Sequence, residues 1–160
     1  MGFLTWLQES DFALFLAEDP YAYPILLCLH AVGMATVVGL VWVMSARVLG
    51  YPKALSPQLF EQMSRLALWG FTINALSGLL IFSTEATRVI DNTEFLIKMG
   101  AIVLGGITAW YMLRAVRGLD PEGSPDFPTA TKVVAVLASA FWLIAIIYGR
   151  QIAYTIKPPF

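Results

Sequence analysis

The chain has 160 residues, 58% of them hydrophobic and 13% charged, with a mean hydropathy of +0.71 and a net charge of −1. A soluble domain carries about a quarter charged residues and cannot hide so much apolar surface in one core, so lipid is the solvent for most of this chain. A charge balance near zero without a basic patch excludes nucleic acid as a partner. The lone cysteine, Cys28, excludes an intrachain disulfide and a cysteine metal cluster.

The N-terminal stretch MGFLTWLQESDFALFLAEDP lacks the positive n-region, continuous apolar core and cleavage site of a signal peptide, and is expected to remain in the mature protein. Residues 3–17 place Phe3, Leu4, Leu7, Phe12, Phe15 and Leu16 among Glu9 and Asp11, with Glu18 following. That pattern predicts a short amphipathic helix at the membrane surface. Asp19-Pro20 breaks it, and Tyr21 and Tyr23 stand where an interfacial aromatic belt belongs. Pro24 to Ala46 is an uncharged apolar run long enough to cross a hydrocarbon layer of ~30 Å, and it carries the only histidine, His30. An ionisable group at such depth points to a functional site, because an unpartnered polar group in hydrocarbon is costly. Leu49-Gly50-Tyr51-Pro52 is the expected stop.

Pro57 suits the first turn of a second helix, whose apolar part, Leu66 to Phe82, is a marginal span that Ser83 and Thr84 lengthen. The segment Thr84 to Thr93, with Glu85, Arg88 and Asp91, reads as an aqueous loop. A third span from Phe95 to Leu113 is interrupted only by Lys98, and Asp120 to Pro128 is a turn-rich loop. The fourth span runs from Val133 to Gly149, followed by Arg150, Tyr154 and Lys157. The expectation is an all-α integral membrane four-helix bundle, one domain over residues 1–160, with spans near 24–48, 64–84, 95–115 and 130–150. Counting Lys and Arg sets Arg47, Lys53, Arg65, Arg114, Arg117 and Lys132 on one side against Arg88, Lys98, Arg150 and Lys157 on the other, six to four. By the positive-inside rule both termini lie outside the cytoplasm, which in a bacterium means the periplasmic side of the inner membrane.

In that orientation His30, Lys98, Arg150 and Glu85 fall at similar depth, one ionisable group per helix. Asn74, Ser77, Gly78, Ile81 and Glu85 follow the spacing of one helical face, as do Lys98, Ala101, Gly105 and Ala109, and Ser139, Trp142, Leu143, Ile146 and Arg150. The small residues beside Lys98 mark a face where another helix packs closely, which points the lysine into the bundle. One imidazole with two cations nearby suits a planar or apolar ligand with anionic or carbonyl groups: a b-type haem with propionates, or a quinone. Cofactor-binding candidates are therefore His30, Lys98, Arg150, Met99, Asn74 and Ser77, with His30 as the metal ligand for haem or copper. A b-type haem usually needs two axial ligands. Met34 is on the same helix as His30, so Met99 or a second copy's His30 would have to supply the other. Copper suits imidazole and thioether groups, but the methionines occur singly, and Cys28 and His30 face apart. Each residue also has an ordinary structural explanation: helix glue for His30, Asn74 and Ser77, and headgroup contact for Lys98 and Arg150. No nucleophile motif, phosphate loop or carboxylate pair points to an enzyme acting on its own.

The segments LHAVGMATVVG (Leu29 to Gly39), ARVLG (Ala46 to Gly50), GFTINALSGLLIF (Gly70 to Phe82), NTEFLIK (Asn92 to Lys98) and GRQIAY (Gly149 to Tyr154) together resemble an uncharacterised family of small bacterial four-helix inner-membrane proteins, over nearly the whole chain. The resemblance implies fold and location and lends no activity. More distantly the chain is similar to copper-resistance D membrane proteins and b-type membrane cytochromes, which implies a polar residue near the periplasmic face. The expected functions are a redox or electron-transfer membrane protein holding haem or quinone at His30, or a non-catalytic accessory or assembly subunit. A copper or small-solute transporter ranks behind both. Expected partners are the lipid bilayer and either further copies of the chain or a larger membrane complex.

Overall fold

A computed structural model of the chain describes residues 2–51, 57–117 and 127–156. The expectations for Pro52, Lys53, Asp120 to Asp126 and Lys157 lie outside the described residues. The elements are α1 (Phe3–Gln8), α2 (Asp11–Glu18), α3 (Ala22–Val48), α4 (Pro57–Thr84), α5 (Ala86–Val89), α6 (Thr93–Arg117) and α7 (Thr129–Thr155). Helices α3, α4, α6 and α7 are each long and apolar enough to cross a membrane. The protein is an all-α, multi-pass membrane four-helix bundle.

Two antiparallel hairpins, α3 with α4 and α6 with α7, form the bundle, and α3 joins them by packing on α7. Helices α4 and α6 barely touch along most of their length; Phe82 and Phe95 stack at 5.5 Å where the two approach α5. In α3 and α4 glycines let the backbones meet. A Cβ at Gly33 would stand 2.8 Å from the Gly70 carbonyl oxygen, so only hydrogen fits there. Gly50 ends α3 at φ 110°, in the left-handed region. Its N–H bonds the Arg47 carbonyl and that of Tyr51 bonds Ala46, the paired bonds of a glycine C-cap.

The segment before α3 is two helices rather than one. Ser10 ends α1 by donating to the Leu7 carbonyl and starts α2 by accepting from the Ala13 N–H. The Asp19 carboxylate then accepts from the N–H groups of Tyr21 and Ala22, which turns the chain into α3. Ala13 and Leu16 are buried against the bundle, while Phe3, Trp6, Phe12 and Phe15 stay exposed on the side away from it. The segment between α4 and α6 is also more ordered than an aqueous loop, because α5 buries Ala86 and Val89 beneath α1. Gln8 fastens this lid by accepting from the Thr87 N–H and hydroxyl. The bundle thus has a capped end, carrying α1, α2 and α5.

The apolar core sits toward the other end. Val37, Val41, Met44, Val48, Phe60 and Met112 belong to one buried cluster that reaches Trp142. Above Trp142, toward the capped end, the buried residues include Gly33, Asn74, Ser77, Ala101, Ser83 and Thr84 alongside the apolar Leu16, Leu26 and Val89. Ser83 and Thr84 satisfy themselves on carbonyls of their own helix. Asn74, Ser77 and the half-buried His30 and Lys98 remain as polar groups of the upper half of the interior.

Candidate functional site

His30 lies eight residues into α3 and Lys98 five into α6, which sets them roughly 12 Å and 8 Å from the capped ends of their helices. The His30 ring rests on Gly78, where a Cβ would come within 3.0 Å of Cε1. Its Nδ1 is 2.9 Å from the Asn74 carbonyl oxygen, and the Ser77 hydroxyl lies 3.3 Å away. The Asn74 amide donates in return to the His30 carbonyl at 2.8 Å, so the two residues clamp α3 and α4 reciprocally. Ser77 donates to the carbonyls of Ile73 and Asn74.

This arrangement selects a tautomer. A carbonyl only accepts, so Nδ1 carries the proton of the neutral ring and Nε2 keeps its lone pair. None of the ring's hydrogen bonds among the described residues uses Nε2. The imidazole is held in one orientation and presents an acceptor. A metal ion, or a hydroxyl donating from a ligand, would meet that requirement.

Lys98 supplies the complementary group. Its side chain lies across Gly149 of α7, with Cε 3.4 Å and Nζ 3.6 Å from where a Cβ would be. Among the described residues the ammonium has no ion-pair or hydrogen-bond partner, and the Glu85 carboxylate is taken up by Arg88. An ammonium at that depth without an anion is costly in the bare protein, and a bound carbonyl or anionic oxygen would relieve that cost.

The other residues expected at this layer stand elsewhere. Met99 is one position beyond Lys98, about 100° around α6, and is 42% exposed on the outer surface of the bundle. Arg150 is also exposed, donates to the Tyr154 hydroxyl at 2.9 Å and lies over that ring. Gly149, rather than Arg150, faces α6, since eight residues from Trp142 drift about 80° around a helix while seven drift only about 20°. Met99→Ala and Arg150→Ala are accordingly expected to leave ligand binding unchanged within about twofold, measured by titration in detergent. A loss comparable to that of a His30 variant would put both residues back at the site.

A b-type haem held by two axial ligands does not fit one chain. His30 offers one, Met34 is a turn away on the same helix, and Met99 faces outward. No group of three or more His, Cys, Asp or Glu among the described residues could hold a metal ion, and Cys28 is exposed. The site's donor set is instead one acceptor nitrogen and one cation across an interior lined by small residues. Trp142 stands at its floor, its ring edge-on to Phe71 at 6.4 Å. Sequence spacing put this tryptophan on one face with Ser139, Leu143, Ile146 and Arg150 without marking it as part of the site. No protein-family model, curated protein or solved structure matches the chain.

Proposed function

We propose that the bundle binds a membrane quinone between His30 and Lys98, as the ligand-carrying part of a redox or electron-transfer function in the bacterial inner membrane. The observation that carries this reading is that, among the described residues, one unused acceptor, His30 Nε2, and one unused donor, the Lys98 ammonium, stand at similar depth on the capped side of the apolar core. Lys98 donates to a quinone carbonyl. In the reduced form of the ligand a hydroxyl donates to Nε2. The termini lie on the periplasmic side, in keeping with the Lys and Arg distribution, and an active periplasmic reporter fused at the C-terminus is the expected result. A reporter active only in the cytoplasm would invert the topology.

Organic extraction of protein purified in mild detergent tests the reading. The expected outcome is quinone in near-stoichiometric amount, lost in His30→Ala while the helical circular dichroism is retained. Quinone no higher than in a detergent blank would end it. The visible spectrum of the same sample is expected to be flat; sharp b-type bands that vanish in His30→Ala would replace quinone with a haem shared between two copies. A second reading, a non-catalytic accessory or assembly subunit, draws on the reciprocal His30 and Asn74 hydrogen bonds, which clamp α3 to α4 with or without a ligand. On that reading His30→Ala only loosens the hairpin and no quinone copurifies.

A further inference from the structure

Trp142 is 4% exposed, and its indole Nε1 has no hydrogen-bond partner among the described residues. The nitrogen sits in the notch of Gly105, 3.1 Å from where a Cβ would be, on the same α6 face that carries Lys98 seven residues earlier. A buried indole N–H ordinarily finds an acceptor, and leaving one unmade costs about as much as a lost hydrogen bond. Even the exposed Trp42 has an acceptor, its Nε1 reaching the Ser139 carbonyl at 3.3 Å. Among the described residues, only at Trp142 is a buried indole donor left over. It lies between the apolar core and the polar groups of the upper half, with Phe71 of α4 at its edge.

The two leftover donors lie at different depths. Lys98 meets α7 at Gly149 and Trp142 meets α6 at Gly105, so the rungs are seven residues apart on both helices, roughly 10 Å along the axis. His30, roughly 12 Å deep, falls between them. A para-quinone, with a carbonyl at each end of one six-membered ring, spans roughly 11 Å from donor to donor when both oxygens accept hydrogen bonds of ~2.9 Å. A ligand with adjacent carbonyls reaches only one of the two.

We infer that the Trp142 indole N–H is the deep anchor of the ligand and Lys98 the shallow one, so that the site selects a para-quinone ring standing along the bundle axis beside His30. The inference rests on the quinone reading above and adds the second donor and the para geometry.

The test is equilibrium titration of the detergent-purified full chain with a short-chain 1,4-benzoquinone and with a 4,4-dimethyl-2,5-cyclohexadienone analogue, which lacks the distal carbonyl and cannot aromatise. Trp142→Phe removes the N–H, and benzothienylalanine at position 142 removes it while keeping the shape of the indole. Either replacement is expected to weaken the 1,4-quinone about tenfold, the loss of one neutral hydrogen bond, and to leave the analogue unchanged. Should Trp142→Phe not fold, the shape-preserving replacement decides. Unchanged 1,4-quinone affinity overturns the deep anchor while leaving the quinone reading intact, provided His30→Ala abolishes binding. An equal fall for both ligands overturns it as well, because packing rather than the N–H would then be at work. A wild-type chain that binds neither ligand overturns both inferences.

Discussion

Alanine at Gly33 is expected to lower the thermal stability of the bundle more than any other single-methyl addition to it, and to abolish ligand binding with it. The added Cβ would lie 2.7 Å from the Asn74 nitrogen, 2.8 Å from the Gly70 carbonyl oxygen and 3.0 Å from the Asn74 Cα. All three atoms are backbone, so no rotamer change relieves the overlap and the two helices must part. Overpacking of this kind costs about 1–3 kcal/mol or more. The separation falls one turn from His30 and pulls Asn74 away from it, so the imidazole loses the carbonyl that fixes its tautomer. Gly39, Gly100 and Gly106 are the controls, since nothing lies within 4 Å of a Cβ there. Alanine at those positions is expected to be neutral or slightly stabilising, by helix propensity. Thermal unfolding followed by circular dichroism in detergent compares them, and a Gly33→Ala midpoint equal to that of Gly39→Ala would refute the close approach.

Lys98→Met is expected to change stability and binding in opposite directions. Methionine matches the length of the lysine stem, so contact with Gly149 persists while the unpaired ammonium is removed from the interior. The empty bundle should show a slightly higher unfolding midpoint, because a half-buried cation without a partner among the described residues is removed. Quinone affinity should fall about 10- to 100-fold, the worth of a hydrogen bond from a charged donor. A residue that only anchors the helix at the headgroups would show neither effect, and one that only completes the fold would show a loss of stability. A destabilised Lys98→Met with wild-type affinity would remove Lys98 from the site.

Composition and periodicity by themselves determined the solvent and the architecture of this protein. Four apolar runs of spanning length, separated by Gly, Pro and charge, admit few structures in lipid, because every backbone group must bond within its own helix. The same reasoning found His30, and the three-and-four spacing found Asn74 and Ser77 on the face that meets it. Spacing also turned Lys98 inward, through the small residues that share its stripe. It left open what only packing decides: which neighbour each face meets, and which side chains of that face are taken up. Arg150 shares a nominal face with Trp142, yet the drift of an α-helix over eight residues carries it outside, and Gly149 meets α6 instead. Residues 84–93 read as aqueous because they are charged, although Ala86 and Val89 find cover beneath α1, a segment about eighty residues earlier in the chain. The tautomer of His30 and the leftover donor of Trp142 follow from atoms of other helices, at separations of about 40 residues in the chain. A hydrogen-bond tally of that kind belongs to the tertiary structure, because the sequence lists donors and acceptors without saying which of them meet.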